Sequence, residues 1–388
     1  MTSPVDTTVK WFSSAMLGAP VLKTQAGSLI ALLDACLVNG WGVQVADSCV
    51  VLNGVCTMTF PLDHAARQEC VILVEGASIA ALNGEQKVTV TAPNTVKFAT
   101  AAANGTPTGV ITAKMAPGGW AKPFASGTTV AVYKSLSVKA NGHFFRVNDA
   151  GPNEARVIGY ETMTGVSTGT FLFPTSIQLN GGLYWSKGYA GGGLMVIDWT
   201  IVIDDRFVYI LPSSFMGADV SYTNYKGPTF FGFGDPVNLG KGADPFSTLV
   251  FGSSAINSNM GPRMFTTESY GDMAYQPRIP AGTGTSALCL AYPMGNATDQ
   301  GVGWDRVSGQ LRVTDIVLKT QPDLTAWRAK LPGVSVGHQS GMEVILPWTS
   351  VLSSGVPEKK YLNMLSSTSA SALTNLYLCI FDLTGPWR

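Results

Sequence analysis

Short runs of alternating hydrophobic and polar residues, separated by turn residues, dominate the chain after residue 41. The dipeptide Asn-Gly occurs six times, and it suits tight hairpins because both central residues of a type I′ turn adopt positive φ. Asn53-Gly54 gives the clearest case, since apolar runs flank it at 50–52 and 55–60. The pattern predicts a mainly β fold, assembled from small, hairpin-rich β-sandwich or barrel modules.

Two segments depart from this alternation and predict helices. In the first, apolar residues recur at helical spacing between Ser28, the predicted N-cap, and Asn39-Gly40, which ends the helix. This segment predicts one N-terminal amphipathic helix of about three turns. The second is a short helix near 322–330, for which Pro322 is a favourable first residue and Pro332-Gly333 a stop.

The same reading divides the chain into five segments. They are an N-terminal segment with its helix, a small all-β module, a second β block, a stretch of loops rich in Gly, Ser and Pro, and a C-terminal β block. Their predicted bounds are 1–41, 42–115, 116–229, 230–302 and 303–388.

Two of these segments carry specific expectations. In the second β block, a long hairpin runs from 195–203 back through 207–211 and turns at Asp204-Asp205. Both of its faces are apolar, so we expect it to be central in a sheet. The segment 230–302 has few strand signals and is expected to form long surface loops, whose usual roles are contact and recognition.

Composition adds a large apolar core and an unusually uncharged surface. Hydrophobic residues make up 46% of the 388 residues, and charged residues make up 13%, about half the usual share. The 25 basic and 25 acidic residues give a formal net charge of +0. A disordered chain is excluded, and nucleic acid is not expected as a partner because counterion release needs an excess of Lys and Arg. The low charge has two compatible interpretations: a β-rich protein whose surface is made of the uncharged residues Ser, Thr, Asn and Gly, or a surface covered by neighbouring subunits in a permanent assembly.

Membrane, export and redox signals are also weak. The longest apolar stretch, 28–38, covers eleven positions and contains Asp34, so no membrane-spanning segment is expected. The residues 1–9 are polar and lack the pattern of a secretory signal. The six cysteines are therefore expected to be free and buried rather than joined in a disulfide framework.

The search for catalytic or metal-binding residues gives no positive motif. Cys49, Cys56, His64 and Cys70 form the one Cys/His cluster of the sequence, and their gaps lack the short paired spacing of structural zinc sites. The sequence predicts a non-enzymatic protein with no catalytic residue, no metal and no cofactor. A cell-wall hydrolase stays open as the least favoured alternative.

Nine tryptophans are scattered along the chain without a period. Most are expected in the core, because aromatic side chains bury the largest area per residue. Trp11, Phe12 and Trp387 lie near the two ends of the chain, outside the densest strand patterns, and aromatic residues are enriched at interfaces. We assign these three as candidate interface residues, with the chain's own core as an equal alternative.

A series of short motifs runs through the chain. Those near the N-terminus are VKWFSSAM (9–16), GAPVL (18–22), AGSLI (26–30) and LDACLVNG (33–40). The later ones are ALNG (81–84), TGVITAK (108–114), GGW (118–120), KPF (122–124), AVY (131–133), ARV (155–157), GLYW (182–185), FGD (233–235), KLPG (330–333) and DLTGPWR (382–388). Over nearly its whole length the chain resembles a group of tailed-bacteriophage virion structural proteins.

The resemblance implies a virion component made in the bacterial host cytoplasm and located in the tail, at the tip, baseplate, neck or fibre attachment. Its expected partners are further copies of itself in a cyclic homo-oligomer and other tail proteins, with a host surface receptor as a further candidate. No catalytic residue is carried over from the family. Two alternatives stay open, namely a receptor- or glycan-binding tail protein and a capsid decoration protein.

Overall fold

The computed structural model of the chain shows a mainly β protein in which the strands pair antiparallel. The structure describes residues 3–188, 193–213, 229–240, 242–254, 272–293, 303–304, 311–320, 327–339, 350–353, 359–367 and 376–388. Most strands belong to two sheets, one of seven strands and one of nineteen. The mainly β class predicted from the alternation is confirmed.

The N-terminal segment combines two short strands with a short helix. Its elements are β1 (Lys10–Ser13), β2 (Leu22–Lys23), α1 (Ser28–Leu33) and a π-helical turn (Asp34–Asn39). In place of the regular three-turn amphipathic helix, the chain forms six residues of α-helix followed by six of π-helix. Residues of both parts are buried, so this segment packs into the protein.

The start of α1 differs from the prediction. Gly27, with φ of 80°, occupies the N-cap position, and the Ser28 hydroxyl donates to a backbone carbonyl at 2.6 Å instead. The N–H groups of Leu29 and Ile30 donate to the carboxylate of Asp149, at 2.8 and 3.2 Å. The prediction of Ser28 as the N-cap was wrong, because a buried carboxylate from a distant segment accepts the free N–H groups of the first turn.

The seven-stranded sheet, which we call the small module, lies within residues 41–115. Its strands are β3 (Trp41–Val45), β4 (Ser48–Leu52), β5 (Val55–Thr59), β6 (Val71–Glu75), β7 (Gly84–Ala92), β8 (Thr95–Ala99) and β9 (Thr112–Met115), with a 3₁₀ turn at Ala80–Leu82. The order across the sheet is β3-β9-β6-β7-β8-β5-β4, so the consecutive strands β3 and β4 lie at its two ends. The sheet curls into a half-barrel. Ala46 and Asp47 connect β3 to β4, and their backbone N–H groups donate to the carbonyls of Ile111 and Thr59.

The hairpin predicted at Asn53-Gly54 is confirmed. Asn53 has φ of 51° and Gly54 has φ of 75°, as a type I′ turn requires at its two central positions. The turn places Leu52 directly opposite Val55, and β4 and β5 pair from there over five residues each.

The next region contributes nine strands. They are β10 (Trp120–Ser126), β11 (Val130–Ser135), β12 (Phe144–Asn148), β13 (Glu154–Gly165), β14 (Thr168–Phe173), β15 (Leu183–Ser186), β16 (Val196–Ile197), β17 (Trp199–Ile203) and β18 (Phe207–Pro212). Strands β17 and β18 form the hairpin predicted to be central, and every residue of both strands is buried. β1 pairs with β17, which joins the N-terminal segment to the large sheet.

Twelve further strands follow residue 230. They are β19 (Phe231–Gly234), β20 (Val237–Asn238), β21 (Leu249–Ser253), β22 (Asp272–Gln276), β23 (Ala287–Pro293), β24 (Gly303–Trp304), β25 (Leu311–Arg312), β26 (Thr314–Thr320), β27 (Trp327–Gln339), β28 (Ser350–Ser353), β29 (Lys360–Ser367) and β30 (Leu376–Asp382). All but β24 and β25, which pair with each other, belong to the nineteen-stranded sheet.

Two predictions for this part of the chain were wrong. The segment 230–302, expected as surface loops, contains β19 to β23 among its described residues, and β19 and β21 are buried throughout. Its glycines serve close packing as well as turns, since a Cβ at Gly232 would meet the Phe251 ring at 2.5 Å. Residues 327–330, expected at the end of a short helix, begin the long strand β27. Residues 321–326 lie outside the described residues.

A continuous apolar core connects the two sheets. Aromatic rings form its centre, as where Phe145 stacks on Phe233 with ring centroids 4.6 Å apart. A polar link also joins the small module to the C-terminal segment, because the buried Lys87 ammonium donates to the Leu383 carbonyl at 2.5 Å. Among the described residues, no helix has the length and apolarity needed to cross a membrane.

Candidate functional site

The outer face of the small module concentrates exposed apolar side chains. Of the nineteen large apolar side chains that are exposed among the described residues, eight lie between residues 42 and 115. Six of these, on β3, on the β4–β5 hairpin and just before β9, form what we call the outer apolar surface: Val43, Val45, Val50, Leu52, Val55 and Val110. Contiguous exposed apolar patches mark interaction sites in soluble proteins, and the register makes Leu52 and Val55 direct neighbours within this set.

Strand alternation produces the hairpin part of this surface. Successive side chains on β4 and β5 point to opposite faces, so one set fills the interior and the other faces outward. Val50, Leu52 and Val55 belong to the outward set, and the register pairs Leu52 with Val55. Leu52 is 62% exposed. Covering these side chains with another protein would remove their apolar area from water.

The two ends of the seven-stranded sheet differ in how open they are. β3 pairs with β9 alone among the described strands, and its register shifts between Trp41 and Gln44, where Val43 is 64% exposed. At the other end, Val51 of β4 exchanges two backbone hydrogen bonds with Gly105, at 2.8 and 3.0 Å. Edge strands offer backbone groups to a strand of another chain. The β3 edge is therefore the more open of the two.

The three candidate interface residues lie in the chain's own core. Trp11, Phe12 and Trp387 are all buried. The Phe12 ring lies 5.1 Å from the ring of Trp41, and the Trp387 ring lies 5.7 Å from the ring of Tyr209. Their assignment as interface residues is corrected, because other residues of the same chain already cover each ring.

A network of buried charges joins Arg388 to the central hairpin. Asp204, in the β17–β18 turn, accepts the N–H groups of Arg206 and Phe207 at 2.8 and 2.6 Å, and the Arg388 guanidinium at 2.7 Å. Arg388 also donates to the Asp235 carbonyl. Burial raises the pKa of Asp204, and the charge of Arg388 opposes that rise. Both carboxylate oxygens of Asp204 are bound within the chain, which indicates a structural role.

A second buried chain of hydrogen bonds runs from His143 through Thr248 to Asp235. The Thr248 hydroxyl donates to Asp235 Oδ1 at 2.5 Å, so its oxygen accepts from His143 Nδ1, at 2.7 Å. Burial, followed by the charges of Lys134 and Arg278, lowers the pKa of His143 to about 4. The imidazole is thus neutral near pH 7. The imidazole is also buried. These hydrogen bonds therefore hold His143, the residue before β12, against Thr248, the residue before β21.

The half-barrel contains a cavity of about 20 Å³. Gln44, Phe60, His64, Val96 and Met115 are among its lining residues. The side-chain oxygen of Gln44 and the Nδ1 atom of His64 are buried there without a hydrogen-bond partner in the described chain. A cavity of this volume holds about one water molecule, which has the two donors that these groups need.

The structure brings together two of the four residues in the predicted Cys/His cluster. The sulfur atoms of Cys49 and Cys56 are 3.3 Å apart, whereas His64 and Cys70 bond to backbone groups elsewhere. Among the described residues, no group of three or more His, Cys, Asp or Glu side chains could hold a metal ion. The sequence analysis missed the contact between the two thiols, although their spacing of seven residues across the Asn53-Gly54 turn indicates it.

Comparison of the chain with models of known protein families gives no match. A search of curated protein sequences likewise gives no significant match. The functional argument therefore depends on the surface and interior of the chain itself.

Proposed function

We propose that this chain is a non-enzymatic structural subunit of a bacteriophage virion, located in the tail, where it forms a ring and holds neighbouring tail proteins or fibres. The outer apolar surface is the observation that carries the proposal. A surface with exposed Val43 and Leu52, in a chain with only 13% charged residues, is suited to permanent contact with protein. The assignment to a phage virion comes from the motifs that resemble tailed-phage virion proteins.

The proposed occupant of the outer apolar surface is a second copy of the same chain. A ring needs a head-to-tail interface, in which one patch of a subunit contacts a different patch of the next. The β4–β5 hairpin and the open β3 edge supply two such patches, which belong to the last and first strands in the order of one sheet. Apolar side chains on the hairpin provide apolar surface that the neighbouring subunit can bury. The β3 edge provides backbone hydrogen-bonding groups for that subunit.

The oligomeric state of the purified full-length chain tests the assembly part of the proposal. Light scattering coupled to size-exclusion chromatography should give a defined oligomer whose mass is an integral multiple of 40.9 kDa. A monomer that persists at high concentration contradicts the ring.

Quantitative mass spectrometry of purified phage particles tests the location. A copy number far below that of the major capsid protein is expected for a tail ring. A copy number close to that of the capsid protein would make the chain a shell decoration protein instead, and absence from the particle would overturn the virion role.

A receptor- or glycan-binding tail protein is the second candidate, because two aromatic side chains are exposed in the part of the chain that the structure describes. Phe171 is 52% exposed and has a positive φ of 54°, a backbone conformation that non-glycine residues rarely adopt. Trp327, at the start of β27, is also exposed. Arg278 lies over the Phe171 ring and Lys319 over the Trp327 ring, each 4.2 Å from the ring centroid, so a sugar would stack on the opposite face of each ring. Binding of the purified chain to host cells, and its loss in Phe171→Ala, would support this candidate.

A further inference from the structure

Two buried thiols of the small module are in direct contact. Cys49 on β4 and Cys56 on β5 have their sulfur atoms 3.3 Å apart, and both side chains face the interior of the half-barrel. A disulfide has an S–S distance of about 2.05 Å. The sulfurs therefore need to approach by roughly 1.3 Å to form a bond.

The hairpin geometry explains this contact. The register places Cys49 opposite Met58 and Cys56 opposite Val51, so the two cysteines are diagonal neighbours on one face of the β4–β5 pair. Short side chains do not usually meet across such a diagonal, but the twist of a two-stranded hairpin brings one diagonal closer. β4 is also the last strand of its sheet, and its outer side is bound at Val51 alone, through the two backbone hydrogen bonds with Gly105, among the described residues.

The two thiols differ chemically in a way that favours reaction. The hydrogen bond between the two sulfur atoms lowers the pKa of Cys49, and the same hydrogen bond followed by burial raises the pKa of Cys56. Cys49 is therefore the sulfur that ionises first, and the thiolate is the reactive form. By contrast, burial raises the pKa of both Cys70 and Cys289 to about 12.

We propose that Cys49 and Cys56 are a modification site, at which a peroxide joins them in an intramolecular disulfide. The Cys49 thiolate attacks one oxygen of hydrogen peroxide, which forms a sulfenic acid and releases hydroxide. The Cys56 sulfur, as its proton leaves, then attacks the Cys49 sulfur and displaces the hydroxyl group. In total, two thiols and one hydrogen peroxide give one disulfide and two waters.

The bond would tie the two strands that carry Val50, Leu52 and Val55. Its position behind the outer apolar surface means that oxidation fixes the conformation of this hairpin by a covalent link. The inference itself does not depend on the proposed virion role, because it concerns the chemistry of the isolated chain.

The test is a thiol count on the purified full-length chain. The native protein, which has six cysteines, is treated with a small excess of hydrogen peroxide, denatured and alkylated, and its intact mass is measured. We expect two of the six thiols to be lost together, and we expect the peptide that contains Cys49 and Cys56 to lose two hydrogen masses. Reduction before alkylation should restore all six. Retention of all six thiols, or loss of a different pair, overturns the proposal.

Two variants locate the reaction. In Cys49→Ala, no disulfide should form, and its remaining five thiols should all be alkylated. The matched control Cys70→Ala also lacks one buried cysteine of the small module, and it should still lose two thiols. An equal loss in Cys49→Ala and Cys70→Ala would contradict the assignment. The peptide measurement on the unmodified sequence decides the matter even if a variant does not fold.

Discussion

The Lys187 ammonium and the Asp149 carboxylate form an ion pair in the interior of the protein, where the two side chains are 1% and 0% exposed. Lys187 also donates to the carbonyls of Gln25 and Gly151, at 2.7 and 2.9 Å. All three directions of the ammonium are thus occupied, while the other oxygen of Asp149 binds the first turn of α1. One buried pair thereby joins the N-terminal helix, the end of β12 and the end of β15.

Replacement of Asp149 should destabilise the protein strongly. Asp149→Asn leaves the Lys187 charge buried without its counter-ion, and removal of one partner of a buried pair costs about 3–5 kcal/mol. The measurement is the free energy of unfolding from denaturant titration followed by circular dichroism. Asp315→Asn is the matched control, because the Lys330–Asp315 pair is more than a third exposed on both sides and should contribute less than about 1 kcal/mol. Equal effects of the two substitutions would contradict the structural role of Asp149.

His143 should make the protein less stable in mild acid. Its pKa is lowered to about 4 in the folded chain, against about 6.5 in the unfolded chain, so the unfolded state binds more protons between these values. The stability due to the neutral imidazole is fully present above pH 6.5 and is lost as the pH falls towards 4. The total change is about 3 kcal/mol for a shift of this size.

Buried carboxylates with raised pKa values, such as Asp204 and Asp235, oppose this trend, so the test must isolate His143. The free energy of unfolding is measured at pH 7.5 and pH 5 for the unmodified chain and for His143→Asn. We expect the variant to lose less stability than the unmodified chain between the two pH values. The same pH dependence in both proteins would show that His143 does not titrate as inferred.

Local signals in the sequence predicted those parts of the fold that depend on local geometry. The hairpin at Asn53-Gly54 formed as expected because positive φ at two adjacent residues is a property of those residues alone. The central hairpin at Asp204 was also predictable from the sequence, since its strands are apolar at every position except Thr200, as in a sheet buried on both faces.

Features that depend on distant partners could not be predicted in this way. Nothing near Ser28 indicates that Asp149, more than a hundred residues away, binds the first turn of α1. Likewise, the sequence around Gly232 is typical of a loop, and only the structure shows that the Phe251 ring packs closely against this glycine. The sequence indicated the outer apolar surface only through the low share of charged residues. The alternation of β4 does not say which of its two faces is covered.

Trp387 should act in folding rather than in association. The indole packs against Gly333, where a Cβ would approach it to 2.1 Å, and its N–H donates to the Asp382 carbonyl at 2.7 Å. Trp387→Ala should therefore lower the free energy of unfolding by about 3–5 kcal/mol, as for other buried aromatic residues. The control Trp327→Ala removes an exposed indole and should cost about 1 kcal/mol or less. A Trp387→Ala variant of unchanged stability that fails to self-associate would restore the interface assignment.

The outer apolar surface should control self-association. In Leu52→Lys/Val55→Lys, two neighbouring apolar side chains of the β4–β5 hairpin become charged, and burying them against another copy would then require removal of two charges from water. Loss of two buried apolar side chains alone removes roughly 3 kcal/mol of association energy, so the dissociation constant should rise at least tenfold.

The matched control places the same two lysines where no assembly surface is proposed. Val138 and Ile177 are 99% and 97% exposed outside the small module, so Val138→Lys/Ile177→Lys adds identical charge without touching the hairpin. Sedimentation velocity over a concentration series gives the dissociation constant of each protein, and circular dichroism verifies that both variants fold. Weaker association of the hairpin variant alone supports a second copy as the occupant of the outer apolar surface. An equal loss in both variants would assign the effect to net charge, and an unchanged dissociation constant in the hairpin variant would remove this surface from the assembly.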